Sequence, residues 1–233
     1  MSIPDSNLDS GPDPNPDSGA GQRATLDLIR LVQWLSPAFP TGAFAYSHGL
    51  EQAVAAGEIG DADLLADWLS DILAWGTGWN DAVLMACALR GEDLADLADL
   101  ARALAGSAER LRETEEQGAA FTRTQAEMTG AALPPLPLPL AVARAAVALR
   151  LPGQQVIGLY LHGFASNLVS AGVRFIPLGQ TAGQRTLAAL HPLIGILSER
   201  AMGATRDDLA TTAFRADLGA MTHETMDVRI FKT

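Results

Sequence analysis

Apolar residues recur along this chain at helical spacing, and no segment keeps a sustained two-residue alternation. That pattern excludes a half-buried β-sheet and points to an all-α bundle. TLDLIRLVQWL places Leu28, Leu31, Val32 and Leu35 on one face, and Pro37 and Pro40 then stop the helix. DADLLADWLSDILAW places Leu64, Trp68 and Ile72 on one face with Leu65, Leu69 and Leu73 beside them, and Asp61 or Asp63 is a plausible N-cap. Gly76 and Gly78 mark a break before WNDAVLMACALR. Residues 92–105 and 107–129 read as helices, ALPPLPLPL as proline punctuation, and AVARAAVALR and the apolar run from Gln154 as two more helices. Val173 to Leu178 reads as a short extended link. Thr181 and Gln184 match a capping box for the next helix, in which Pro192 predicts a kink. Thr205 with Asp208 predicts the start of a last helix running to about Met221. The expectation is a single-domain bundle of roughly eight to ten helices.

Residues 1–24 are mostly Pro, Asp, Ser, Gly and Asn, too polar to bury enough surface against chain entropy, and predict a disordered acidic tail. That leaves a helical domain over residues 25–221 and a C-terminal tail over 222–233. A formal net charge of −11 argues against nucleic acid as a partner. The single cysteine, Cys87, sits in an apolar run and reads as a buried thiol in a reducing compartment. No basic-then-apolar leader opens the sequence, so no signal peptide is expected. VIGLYLHGFASNLVSAGV could pass for a membrane span, but His162, Ser166, Asn167 and Ser170 interrupt it, and a central bundle helix is the better reading.

The sequence offers little catalytic chemistry. Its four histidines, His48, His162, His191 and His223, show no i, i+3 or i, i+4 pairing, so no metal site is expected. Ser47, His48 and Glu51 invite a hydrolase reading, yet there is no strand-borne nucleophile elbow and no phosphate loop. On a helix from about Ala43, Ser47 and Glu51 would share an exposed stripe. Three segments remain unexplained by helical packing: the Pro/Gly corner, PLGQTAGQR, and the terminal HETMDVRIFKT.

These three segments resemble the UreF family of urease accessory proteins. SPAFPTGAFAYSHGLE, from Ser36, is similar to that family's SPALPVGGFSYSQGLE. NLVSAGVRFIPLGQTAGQR, from Asn167, is similar to NLVSAAVRLVPLGQTDGQR, and HETMDVRIFKT to HETQYSRLFRS. His48 stands where the family usually has Gln, and Asp227 where it usually has Tyr. The resemblance implies a cytoplasmic, non-enzymatic, homodimeric maturation factor with no cofactor of its own and no membrane or nucleic-acid partner. It would bind the accessory protein UreD (also called UreH), recruit the GTPase UreG, and so help insert nickel into the urease apoprotein, with nickel and GTP held by the partners. The expected partner contacts are Tyr46, Ser47, His48 and Glu51 at the corner, Gln180 and Arg185 in PLGQTAGQR, and Arg229, Phe231 and Lys232 in the tail. Phe231 is the expected anchor, ordered only when the partner binds. The competing readings are a small hydrolase and a helical scaffold unrelated to urease.

Overall fold

A computed structural model describes residues 16–232, and within them every regular element is helical. The chain runs through α1 (Pro16–Leu35), a 3-10 turn (Ala43–Ala45), α2 (Leu50–Ala55), α3 (Ala62–Trp75), α4 (Thr77–Leu89) and α5 (Leu94–Ala103). It continues through α6 (Ala108–Thr129), α7 (Leu138–Ala146), α8 (Gly153–Phe175), α9 (Gln180–Gly203), a second 3-10 turn (Arg206–Asp208) and α10 (Phe214–His223). The all-α bundle expected from the apolar periodicity is therefore the fold.

The centre of the bundle is α4. Every residue from Gly78 to Ala88 is buried, Cys87 among them, and apart from Asn80 and Asp81 the stretch is apolar all round. Helices α3, α7, α8, α9 and α5 pack around it. The most extensive pairing is α8 on α9, and Gly158 opposite Ser198 and Gly183 against Val169 and Val173 show that the two run antiparallel. Helix α8 is the one described helix long and apolar enough to cross a membrane, and half of that stretch is buried inside the bundle.

Side-chain caps set several helix starts. The Asp61 carboxylate accepts the Leu64 N–H, Asp93 accepts from Ala95 and Asp96, and Ser107 accepts from Arg110. Other expectations need correction. Helix α1 starts at Pro16, where a proline needs no intrahelical N–H partner, so the expected disordered tail overlaps a helix, and residues 1–15 lie outside the described residues. Among the described side chains of α1, Asp27, Leu31 and Trp34 are buried, while Leu28 and Val32 face outward, because the helix meets the bundle along a narrow line on α8. The second half of ALPPLPLPL opens α7, with Pro139 in its first turn. Helix α8 runs to Phe175, so the extended link shrinks to residues 176–179. Gly179 caps α9 with a positive φ, which puts Thr181 inside the first turn, and no Thr181–Gln184 box forms. The box at Thr205 and Asp208 does form, but it closes only the 3-10 turn, and the last helix begins at Phe214.

Helix α6 is the exception to apolar packing. Glu109, Glu113 and Gln117 follow one another at i, i+4 along its buried face, and Gly118 is buried beside them. A Cβ on Gly118 would come 1.9 Å from the Leu136 carbonyl oxygen and 2.8 Å from the Leu138 nitrogen. Only glycine admits the proline-rich strap that leads into α7. Gly118→Ala is expected to destabilise the fold by roughly 1–3 kcal/mol or more through overpacking. Urea unfolding checks this, and an unchanged midpoint would contradict it.

Candidate functional site

The corner after α1 is shaped by backbone geometry. Gly42 enters the 3-10 turn with φ +78°, and His48 and Gly49 follow with φ +53° and +72°. His48 is the single described non-glycine residue in the left-handed region. At Gly49 a Cβ would lie 2.6 Å from the Ala220 nitrogen and 2.8 Å from the Gly219 carbonyl carbon, so α10 rests directly on the corner's main chain. This contact turns the corner inward. Tyr46, Ser47, His48 and Glu51 are all buried, which corrects the expected presentation of these side chains to a partner. The i, i+4 pair Ser47 and Glu51 is buried, with Glu51 turned to His223 of α10 and to the tail, not to solvent.

The buried groups meet the polar stripe of α6 and the C-terminal tail. Glu51 accepts hydrogen bonds from the backbone N–H groups of Ile230 (2.8 Å) and Phe231 (2.9 Å). Its Oε2 also lies 3.1 Å from His223 Nε2, while His223 Nδ1 lies 2.8 Å from Glu109 Oε2. A neutral imidazole donates from one nitrogen only, so donating to both carboxylates takes a second ring proton. Arg229 closes the cluster by donating to Glu109 Oε1 at 2.6 Å. A parallel set lies beside it. His48 Nε2 is 3.0 Å from Glu113 Oε1, which also accepts from Gln117, and Arg110 pairs with Glu113 Oε2 at 2.8 Å. The Tyr160 hydroxyl donates to Asp81 at 2.6 Å, and Arg110 lies 3.7 Å from the same carboxylate, joining α4, α6 and α8.

Electrostatics follow from this packing. Burial opposes the Glu113 charge, but Arg110 and His48 outweigh it and hold the carboxyl down at about 2. Burial pushes Asp81 up despite Arg110 and the Tyr160 hydrogen bond. Burial, reinforced by the hydrogen bond to Glu116, pushes the Tyr46 phenol up.

The tail is seated on its own chain, which corrects the expectation that only a partner orders it. Phe231 is 5% exposed, its ring centroid 5.0 Å from that of Phe175, with the Arg174 guanidinium 5.3 Å away. The Lys232 N–H donates to the Ala45 carbonyl at 2.7 Å, and its ammonium pairs with Glu116, the carboxylate that also accepts from Tyr46. Phe231 is therefore an internal anchor, because Glu51 supplies the acceptors its backbone needs and Phe175 the apolar wall. Val228 and Ile230 are the tail's outward apolar residues, at 76% and 75% exposure. Two of the three unusual segments, the corner and the terminal one, meet here; of the third only the preceding Arg174 and Phe175, at the end of α8, reach the cluster. Gln180 and Arg185 do not join the cluster and stand exposed at the start of α9.

Sequence reasoning missed Glu109, Glu113, Gln117, Asp81 and Tyr160. The available signal was α6 itself, a long helix with few apolar residues and polar groups at i, i+4. Ser47 is fully buried, His48 Nε2 lies against Glu113, and Glu51 faces His223 and the tail. Among the described residues no three His, Cys, Asp or Glu side chains converge as a metal site. The fold does bring His162 and His191 together, far apart as they are in sequence, with burial and then the His191 charge holding His162 below its ordinary range.

The UreF family model matches residues 59–191. The urease accessory protein UreF of Cereibacter sphaeroides strain ATCC 17029 is 63% identical over 206 residues, covering 88% of this chain and 98% of that protein. The UreF of Paracoccus denitrificans is 51% identical, covering 88% and 95%, and that of Dinoroseobacter shibae 49% identical, covering 88% and 98%.

Two outcomes follow from the cluster. Glu51→Ala strands two tail N–H groups and His223, and is expected to cost roughly 3–5 kcal/mol in urea unfolding; a loss below about 1 kcal/mol would contradict the role assigned to Glu51. Glu113 has a folded pKa below its ordinary 4.5, so its contribution is complete above that value and is lost as pH falls toward about 2. Glu113→Gln should lower stability at neutral pH and flatten the pH dependence across that window. An acid limb as steep as the wild type's would contradict the assignment.

Proposed function

Because the chain belongs to the UreF family of urease accessory proteins, we propose that it is a non-enzymatic adaptor in urease maturation. In this reading it docks UreD (UreH), recruits the GTPase UreG, and acts in the cytoplasm to help place nickel in the urease apoprotein.

The observation that carries the docking step is the outward face of α10. Phe214, Leu218 and Met221 recur at i, i+4, i+7 and are 67%, 61% and 47% exposed, and Val228 and Ile230 follow on the tail. A helix that rests one face on the corner and leaves an apolar stripe outside suits a partner interface. The role first assigned to Phe231 thus passes to its outward neighbours, and the cluster beneath acts as their support. Arg112, Arg229 and Lys232 with Glu116 form a charged rim beside the tail, the kind of surface that steers a second protein such as UreG.

The homodimer reading is supported by a separate exposed apolar strip on α1, formed by Leu26, Leu28, Ile29 and Val32. Gln180 and Arg185 are further candidates for partner or dimer contact. The folded UreF domain is read as running from α1 to α10, with the tail as part of its docking face.

Leu218→Asp is expected to weaken UreD binding on the order of ten-fold to a hundred-fold, since it puts a charge at the centre of an apolar contact. Co-purification of the full chain with UreD, followed by calorimetry, checks this, with circular dichroism to show that the bundle stays helical. Unchanged affinity in Leu218→Asp would contradict the docking face.

A further inference from the structure

We propose that His162 on α8 and His191 on α9 form a two-imidazole site for a borderline divalent cation, of which Ni2+ and Zn2+ are the probes. The rings form a tilted pair, their centroids 5.3 Å apart and their planes at 43°. With one nitrogen of each ring turned toward it at about 2.0–2.1 Å, a shared cation would sit roughly 3.2 Å from each ring centre, and the observed separation then corresponds to an angle near the tetrahedral one, about 110°. The pair spans the antiparallel α8–α9 interface, the most extensive helix pairing in the bundle, so its spacing is set by rigid elements.

The rest of the histidine inventory supports the assignment. The chain has four histidines. His48 and His223 are buried against carboxylates, whereas His162 is half-buried and His191 exposed. The surface-reaching histidines are thus the two that meet. Imidazole nitrogen suits Ni2+, Zn2+ and Cu2+ and has little affinity for Mg2+ or Ca2+. Since no third protein ligand converges among the described residues, water or another molecule completes the coordination sphere. That makes an exchangeable site, open to ligand substitution, and not a closed structural one. The inference stands apart from UreD and UreG binding, so its failure and that of the adaptor reading are separable.

The experiment uses the untagged full chain, stripped of metal, and titrates it with ZnCl2 and NiCl2 by calorimetry. In parallel, Zn2+ is added while the imidazole signals of all four histidines are followed by NMR. The expected result is saturable binding with shifts at the rings of both His162 and His191 and none at His48 and His223. His162→Gln and His191→Gln should each weaken binding at least ten-fold, and MgCl2 should give no heat. Circular dichroism verifies the fold of each variant, and the ring shifts in the unaltered chain stand independently of it. Binding that survives in the double variant, ring shifts elsewhere, or no saturable binding would each overturn the proposal.

Discussion

One carboxylate organises the end of the bundle where the corner meets the tail. Glu51 accepts from two successive backbone N–H groups of the tail and faces His223, while His223 reaches across to Glu109, which holds Arg229. Helices α2 and α6, and α10 with the tail that follows it, three parts of the chain distant in sequence, meet through this set. Buried charges are costly to desolvate and add stability only when well paired, so what such a cluster chiefly supplies is geometry. Here it sets the register of the tail, so that Phe231 turns in toward Phe175 while Val228 and Ile230 turn out.

The corner makes that arrangement possible. Two successive left-handed residues, His48 and Gly49, reverse the chain tightly, and the bare Gly49 α-carbon lets α10 approach its backbone. Helix α10 then brings His223 to Glu51. The second polar set, around Glu113 and Arg110, ties α6 to the corner and to α4 and α8. Its groups have few alternatives inside the bundle, since each carboxylate sits opposite a cation, a hydroxyl or an amide. The polar side chains of these two sets thus hold the corner, α6, α10 and the tail in one arrangement.

Much of the architecture was legible in the sequence because local rules decide it. The helical periodicity of DADLLADWLSDILAW, the Asp61 cap, the break at Gly76 and the burial of Cys87 need no tertiary information. The corner and the tail, two of the three motif segments, also pack against each other. Their roles were not legible, because an Asp, Glu or His reads as exposed until its partner is known. Glu51 and His223 are far apart in sequence, and only the fold brings them together. The Thr181–Gln184 pattern failed because Gly179, with its positive φ, already starts α9 one residue before Thr181. The apolar stripe of α1 was correctly periodic, but periodicity does not say how much of a stripe finds a neighbour. The same limit applied to Phe231, an apolar residue near a chain end that is held by an acceptor in α2.

The central claim is that the tail is seated on its own chain before any partner arrives. Amide hydrogen exchange of the free, full-length protein tests it most directly. The Ile230 and Phe231 N–H groups should exchange slowly, as buried hydrogen-bonded amides do, while those of Asp227 and Val228 exchange fast. Exchange of Ile230 and Phe231 at the rate of an unstructured peptide would contradict the account, and would return the tail to a segment that only a partner can order.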